Sequence, residues 1–301
     1  MVKGVINVLK PAGMTSHDVI NHLRRLLKIK KIGHSGTLDP AATGVLPVFI
    51  GKATKAIEFF MEDDKEYISE MRLGVTTDTG DFQGNIIKIY NGPFNIGKIK
   101  FEEVLKEFTG EIMQIPPMYS AVHYKGKKLY ELARQGITVE RRPRKIYIYS
   151  IDLLEFDEKS AIINVACSKG TYIRTLCEDI GNKLGCGACL SDLIRTRSGS
   201  FKIEDSLTLE EIQQNLINNT FEKVLIPIDQ CLQNMPMVIL NREDNIFFIK
   251  GKVLYGDFDY LRVYLDKFIR VYNFKEFLGI AVVKEIKNRI ALQVFKSLKQ
   301  D

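Results

Sequence analysis

Gly33-His34-Ser35-Gly36-Thr37-Leu38-Asp39-Pro40-Ala41-Ala42-Thr43-Gly44-Val45-Leu46 is the stretch on which the reading of this chain turns. Its glycines and its Asp-Pro step preclude a regular element through Pro40, because glycine is costly inside helices and strands and the residue before a proline is driven out of the helical region. Taken alone, Asp39 is an ordinary turn carboxylate. On the N-terminal side, residues 5–9 form an apolar run ended by Lys10-Pro11-Ala12-Gly13, which predicts a buried strand and a turn. Thr15 or Ser16 then caps a helix whose apolar stripe is Val19, Ile20, Leu23, Leu26 and Leu27. Arg24, Arg25, Lys28, Lys30 and Lys31 make its C-terminal end basic, where the helix dipole favours positive charge.

Downstream, Tyr67, Ser69, Met71 and Leu73 alternate with Ile68, Glu70 and Arg72, the period of a strand. Residues 86–90 predict another strand beyond the turn-rich residues 76–84, and the two are expected to pair as a hairpin with a long loop. Residues 101–108 read as a short helix closed by Gly110, and 146–156 and 161–168 as further strands. Gly170 opens a helix with the stripe Ile173, Leu176, Cys177, Ile180 and Leu184, stopped at Gly185. Thr208-Leu209-Glu210-Glu211 is a capping box that announces one more helix. After Pro227 and Pro236 the texture changes to short β-rich runs at 253–255, 261–265, 268–272, 279–283 and 290–295, which predict a small barrel-like appendage.

The chain has 301 residues, 43 Lys+Arg against 37 Asp+Glu, a formal net charge of +6 and 45% hydrophobic residues. Such a composition excludes disorder over most of the length and leaves room, at roughly 100–200 residues per domain, for a large domain with a small one. No apolar run approaches the ~20 residues of a membrane span. Met1-Val2-Lys3-Gly4 leads straight into a strand-like run without a charged and then apolar leader, so the cytoplasm is the expected address. The cysteine count of 5 is odd and fits a reducing compartment. Cys186-x-x-Cys189 has no second pair, and His17, His22, His34 and His123 are far from it in sequence, so neither a zinc site nor a redox pair is expected.

Two nucleotide motifs fail. Gly44 and Gly51 are too far apart for a P-loop, and Ala53 stands where Ser or Thr would hold magnesium. Gly185-x-Gly187 is followed by Leu190 where a dinucleotide fingerprint needs glycine. Residues 124–145 instead concentrate Lys125, Lys127, Lys128, Arg134, Arg141, Arg142, Arg144 and Lys145 against Glu131 and Glu140, interleaved with Tyr124 and Tyr130. A solvated basic surface fits this pattern. So does an RNA-binding arm, since clustered cations gain affinity by releasing counterions and aromatic rings stack on bases.

The loop from Gly33 to Leu46 closely resembles the catalytic loop of the TruB-type pseudouridine synthases. Lys10-Pro11-x-Gly13-x-Thr15-Ser16, Lys65-Glu66-Tyr67, Gly74-x-x-Thr77-Asp78-Thr79-x-Asp81 and Pro116-Pro117-x-Tyr119-Ser120-Ala121 are similar to further motifs of that family. Gly170-Thr171-Tyr172-Ile173-Arg174-Thr175-Leu176 and Leu193-x-Arg195-Thr196-x-x-Gly199 complete the series, in order. The tail from residue 236 is more loosely similar to the small PUA domain. The chain departs from the family pattern at Leu9, where many members are acidic, and at Ile194, where many have arginine.

The resemblance implies an α+β fold: a mixed, mostly antiparallel sheet flanked by helices over residues 1–230, with a basic insertion at about 119–145, then a PUA-like β-rich domain over 236–301. It implies isomerisation of uridine 55 in the T-arm of tRNA. That reaction breaks the N-glycosidic bond and rejoins uracil through C5 with no redox change, so no cofactor and no metal are expected. Asp39 would be the nucleophile, at C1′ or at C6, and Arg174 its cationic partner. His34 would insert where the flipped bases were, Tyr67 would stack on the extruded uracil, and Tyr172 and Leu193 would line its pocket. Tyr67 is also a candidate for removing the C5 proton. Lys125, Lys127, Lys128, Arg141, Arg142 and Arg144 would hold the RNA backbone in an arm that is mobile without RNA. The expected partner is tRNA, with no membrane, no obligatory protein partner and a monomeric state. Two rival readings are a non-catalytic tRNA-binding chaperone, which would not need Asp39, and a guide-RNA-dependent synthase subunit, for which longer chain ends are expected.

Overall fold

The computed structural model describes residues 3–90 and 96–298. Met1 and Val2 of the N-terminal reading, and residues 299–301 of the tail, lie outside the described residues. The chain lays down β1 (Gly4–Lys10), β2 (Ile32–His34), β3 (Thr43–Ile50), β4 (Lys65–Leu73), β5 (Val75–Thr77), β6 (Ile86–Ile89) and β7 (Gly110–Gln114). It continues with the two-residue strands β8 (His123–Tyr124) and β9 (Lys127–Lys128), then β10 (Arg144–Phe156), β11 (Ser160–Cys167), β12 (Ala188–Ser198) and β13 (Phe201–Lys202).

The main sheet runs β1-β3-β12-β4-β11-β10-β7, with β2 on β3 and β13 on β12. Its pairs are antiparallel except β12 with β3, which meet in parallel at Ile194 and Thr43, and at Arg195 and Gly44. Gly44 is required at that meeting. Its φ is +107°, and a Cβ there would lie 2.2 Å from the Arg195 carbonyl oxygen.

On β4, Lys65, Tyr67, Ser69, Met71 and Leu73 are buried and the residues between them are not, the pattern of a strand with one packed face. Two helices cover that face. Ile173–Leu184 supplies Ile173, Leu176, Cys177, Ile180 and Leu184, and Lys98–Glu107 supplies Phe101, Val104 and Leu105. Truncating a fully buried member such as Leu176 to alanine is expected to cost about 2–5 kcal/mol. The Ser16–Leu27 helix packs Val19, Ile20 and Leu23 on the other end of the sheet and starts with a capping box between Thr15 and Asp18.

The expected hairpin between residues 67–73 and 86–90 does not form. β4 lies between β11 and β12, and β6 pairs instead with β5. Ile86, Ile87, Lys88 and Ile89 are all exposed, so β6 has no buried face with which to join the main sheet.

The C-terminal region forms a second sheet, β14 (Met237–Ile239), β15 (Leu254–Tyr255), β16 (Phe268–Tyr272), β17 (Phe277–Ile286) and β18 (Arg289–Ser297), in the order β14-β16-β17-β18-β15. It has its own core of Val238, Phe248, Ile269, Val271, Val283 and Leu292 among others. Residues 261–265, expected as a strand, belong to a 3-10 turn over Asp259–Tyr264 in which Leu261 alone is buried. The Arg242–Ile249 helix has no marked apolar stripe and escaped the sequence reading. The two sheets share a further core, where Val5, Phe49 and Phe60 meet Ile280 and Leu298. Phe59 lies 4.9 Å from the Phe268 ring and 5.8 Å from the Phe295 ring. Among the described residues no helix is long and apolar enough to cross a membrane.

Candidate active site

The loop between β2 and β3 is irregular but pinned from below. The Ser16 hydroxyl accepts from the Leu38 amide at 2.9 Å and donates to the Leu38 carbonyl at 3.2 Å, while the Leu38 side chain is itself buried. The Gly13 amide donates to the Pro40 carbonyl at 2.9 Å. Lys10, fully buried, donates to the carbonyls of Pro11, Pro40 and Ala42 at 2.9, 3.1 and 2.6 Å. These bonds satisfy carbonyls that the loop would otherwise leave without partners. They hold Asp39 between two fixed residues, its carboxylate in a recess with 43% of the side chain exposed.

Arg174, at the second position of its helix and only 6% exposed, closes the recess. Its Nε lies 3.0 Å from Asp39 Oδ2, and one Nη lies 3.5 Å from Oδ1. The rest of the guanidinium is used too: it donates to the Thr79 carbonyl at 3.1 Å, the Asp81 carboxylate at 3.4 Å and the Tyr119 carbonyl at 2.8 Å. One planar fork therefore ties the Asp39 loop, the turn after β5 and the root of the basic insertion together. A positive side chain in a first helical turn opposes the helix dipole, and the two carboxylates and two carbonyls offset that.

Burial pushes the Asp39 carboxyl above its usual range; Arg174 opposes this, Asp81 adds to it and Lys10 opposes it. The result is a carboxylate that is paired yet poorly solvated, a suitable state for a nucleophile. Burial also pulls Lys10 down to about 8, against the attraction of Asp39 and with the repulsion of Arg195.

Tyr67 forms part of the floor. It is 9% exposed and lies in one core cluster with Leu38, Ile173 and Leu193. Burial raises its phenol, and the Arg195 guanidinium opposes that rise. Tyr172 precedes the helix that carries Arg174, and Gln114 grips its backbone from both sides, accepting from the amide at 2.8 Å and donating to the carbonyl at 3.0 Å. His34 ends β2, its Nδ1 accepting from the Gly36 amide at 3.3 Å. Burial first, and then Arg195, hold this imidazole below its usual value, so it is neutral near pH 7.

Asp39 and Arg174 are thus paired, Tyr67 and Leu193 share one core cluster with Leu38, Tyr172 directly precedes the helix that carries Arg174, and His34 lies at the start of the same loop. The basic residues stand apart. Lys125, Lys127, Arg142 and Arg144 are exposed, whereas Arg141 is half-buried and donates to the Pro116 carbonyl at 3.1 Å. Ile194 points to the sheet face opposite Leu193 and Arg195, which removes it from the recess. Three residues of the site, Lys10, Asp81 and Arg195, were not singled out from sequence. Each stands in a quoted motif, and the available signal was a charged residue in a run that otherwise reads as buried or as a turn.

Residues 24–173 match the family model described as TruB family pseudouridylate synthase (N terminal domain), and residues 174–235 match tRNA pseudouridylate synthase B C-terminal domain. The chain is 43% identical over 300 residues to tRNA pseudouridine synthase B of Alkaliphilus oremlandii, covering 99% of each chain. It is 44% identical over 284 residues to the protein of the same name from Clostridium acetobutylicum, covering 94% of this chain and 96% of that one. Among solved structures it is similar to a chain of an H/ACA RNP bound to a substrate RNA containing 2′-deoxyuridine, with a TM-score of 0.74 and 28% identity over 99% of this chain and 85% of that one. With relatives of this identity along nearly its whole length, and a carboxylate and arginine paired where the motifs put them, the chain belongs to the TruB family of pseudouridylate synthases.

Proposed function

We propose that this protein converts uridine 55 in the T-arm of tRNA to pseudouridine, with Asp39 as nucleophile. The observation that carries the reading is the Asp39 carboxylate, held at 3.0 Å by a buried Arg174. The names of the relatives, tRNA pseudouridine synthase B, support tRNA as the substrate. A uridine stacked inside an RNA arm must be flipped out to reach such a recess, at a cost of a few kcal/mol. His34 would fill the vacated space, Tyr67 would stack on the extruded uracil, and Tyr172 and Leu193 would enclose it. Asp39 then attacks, the N1–C1′ bond breaks, the uracil turns and the C5–C1′ bond forms. Loss of the C5 proton and gain of one at N1 complete the isomerisation, so a folded recess with a pre-oriented carboxylate is sufficient.

In this reading residues 1–230 are catalytic and residues 236–301 are a PUA-like RNA-binding domain. The exposed Lys125, Lys127, Arg142 and Arg144 and the half-buried Lys128 grip the phosphate backbone, and Arg141 works from the same arm. The protein acts as a monomer on free tRNA in the cytoplasm. The similarity to the H/ACA RNP chain is weaker, at 28% identity, than that to the two proteins named tRNA pseudouridine synthase B, at 43% and 44%.

Tritium release from tRNA transcribed with 5-tritiated uridine tests the proposal, because loss of the C5 hydrogen accompanies formation of the C-glycoside. Release by the wild type, absent with Asp39→Asn and absent when cytidine replaces uridine 55, is the expected result. Tight tRNA binding without release by either protein would replace the enzyme with a binding module.

A further inference from the structure

Arg195 is among the largest fully buried side chains of the protein, at 1% exposed, and no step described so far uses it. A guanidinium cannot discard its charge on burial, so a buried one needs partners. Arg195 has two backbone partners: its Nε donates to the Val45 carbonyl at 2.8 Å and one Nη donates to the Gly36 carbonyl at 3.1 Å. These carbonyls flank the catalytic loop on either side of Asp39. No carboxylate pairs with Arg195 among the described ion pairs, although Asp39 has Arg174 and Arg197 has Glu66. Its charge also acts on Lys10, His34 and Lys65, whose protonated forms it disfavours, and on Tyr67, whose ionised form it favours. Arg195 and Tyr67 face each other in register across β12 and β4, and the guanidinium's charge favours the ionised form of the phenol. Cys167 and Asp39 are the other ionisable groups near that oxygen, and both disfavour negative charge on it.

A buried cation with neutral partners is matched to a negative charge that appears only during the reaction. We infer that Arg195 is a positioning residue that stabilises Tyr67 as a phenolate while the C5 proton is removed. The inference rests on the pseudouridine synthase reading and on Tyr67 as the base. The protons balance: the phenol gives its proton to the uracil released as an anion when N1–C1′ breaks. After C5–C1′ forms, the phenolate takes the C5 proton and the C–H electron pair returns to the ring. Tyr67 ends as it began, and the product carries hydrogen at N1 in place of C5.

The experiment is single-turnover conversion of tRNA transcribed with uridine or 5-deuterated uridine, by the wild type, Arg195→Gln, Arg195→Lys and Tyr67→Phe. If Arg195 supports proton removal, Arg195→Gln slows conversion by about 10²-fold or more, as loss of acid–base assistance does, and shows a larger deuterium isotope effect than the wild type. Arg195→Lys, which keeps the charge, recovers part of the rate and lowers the isotope effect again. A merely structural arginine gives slow conversion with the isotope effect of the wild type, and that result overturns the inference. Failure of both Arg195 variants to fold, read from melting and tRNA binding, also overturns it in favour of a loop brace. Tyr67→Phe separates the underlying reading: full activity there moves the base elsewhere and removes both claims about Tyr67. Absence of pseudouridine with the wild type would instead sink the function itself.

Discussion

The loop that carries Asp39 and the insertion that carries the basic residues are both irregular, yet they are built in opposite ways. Lys10, Ser16, Gly13 and Arg195 hold the first by its backbone, and Leu38 plugs it into the main core. The second has two two-residue strands and the short Leu129–Ala133 helix, with Leu129 and Leu132 as its buried anchors and most of its charges in solvent. A reacting carboxylate must stand within fractions of an ångström of its target, so its loop is preorganised. A phosphate grip tolerates movement, because counterion release depends little on side-chain geometry. Arg174 joins the two, since one of its donors holds Asp39 and another holds the Tyr119 carbonyl at the insertion's root.

Substitutions in the pinned region should cost rate, and those in the insertion should cost affinity. Asp39→Asn is expected to lower turnover by about 10⁴-fold, the scale seen when a catalytic carboxylate is removed, with tRNA binding retained. Arg174→Lys keeps the charge but loses the fork that bridges Asp39, Thr79, Asp81 and Tyr119; a fall of about 10²–10³-fold in kcat with little change in KM is expected. If KM moved instead, the network would belong to recognition and the contrast would break.

Acidity offers a third test. In the proposed reaction Asp39 attacks as the carboxylate, and its recess raises its pKa, so activity should fall as pH drops through a value above the usual carboxylate range. An acid limb at or below that range in kcat/KM would mean that Arg174 outweighs burial. The double change Arg142→Ala with Arg144→Ala should raise KM several-fold and leave kcat nearly unaltered. It should also reduce the slope of log affinity against log salt by about one for each phosphate that is no longer neutralised. The smallest effect is on motion. Amides of residues 124–142 should exchange quickly without RNA and slow on adding tRNA, while those of residues 38–42 stay protected throughout. Equal protection of both segments in free protein would erase the distinction.

Local order was legible in the sequence wherever local physics sets it. Thr15 with Asp18 and Thr208 with Glu211 form the capping boxes that start their helices. Gly185 takes the left-handed conformation that ends the helix carrying Arg174. The alternation of β4 named its buried face. Where a segment lacked periodicity, as in Arg242–Ile249, or mimicked it, as in Asp259–Tyr264, burial by distant neighbours overrode the pattern.

The sequence by itself determined the family, the loop that carries Asp39 and the helix that carries Arg174, because motif chemistry and capping are written within a few adjacent residues. Only the tertiary structure decided that Asp81 shares Arg174 with Asp39, that Lys10 and Arg195 are buried cations beneath the loop, and that β4 lies between β11 and β12 and not beside β6. The physical reason is distance along the chain. Asp39 and Arg174 are 135 residues apart and Arg195 and Gly36 are 159, so their pairing depends on strand register and shared burial, which no local stretch encodes.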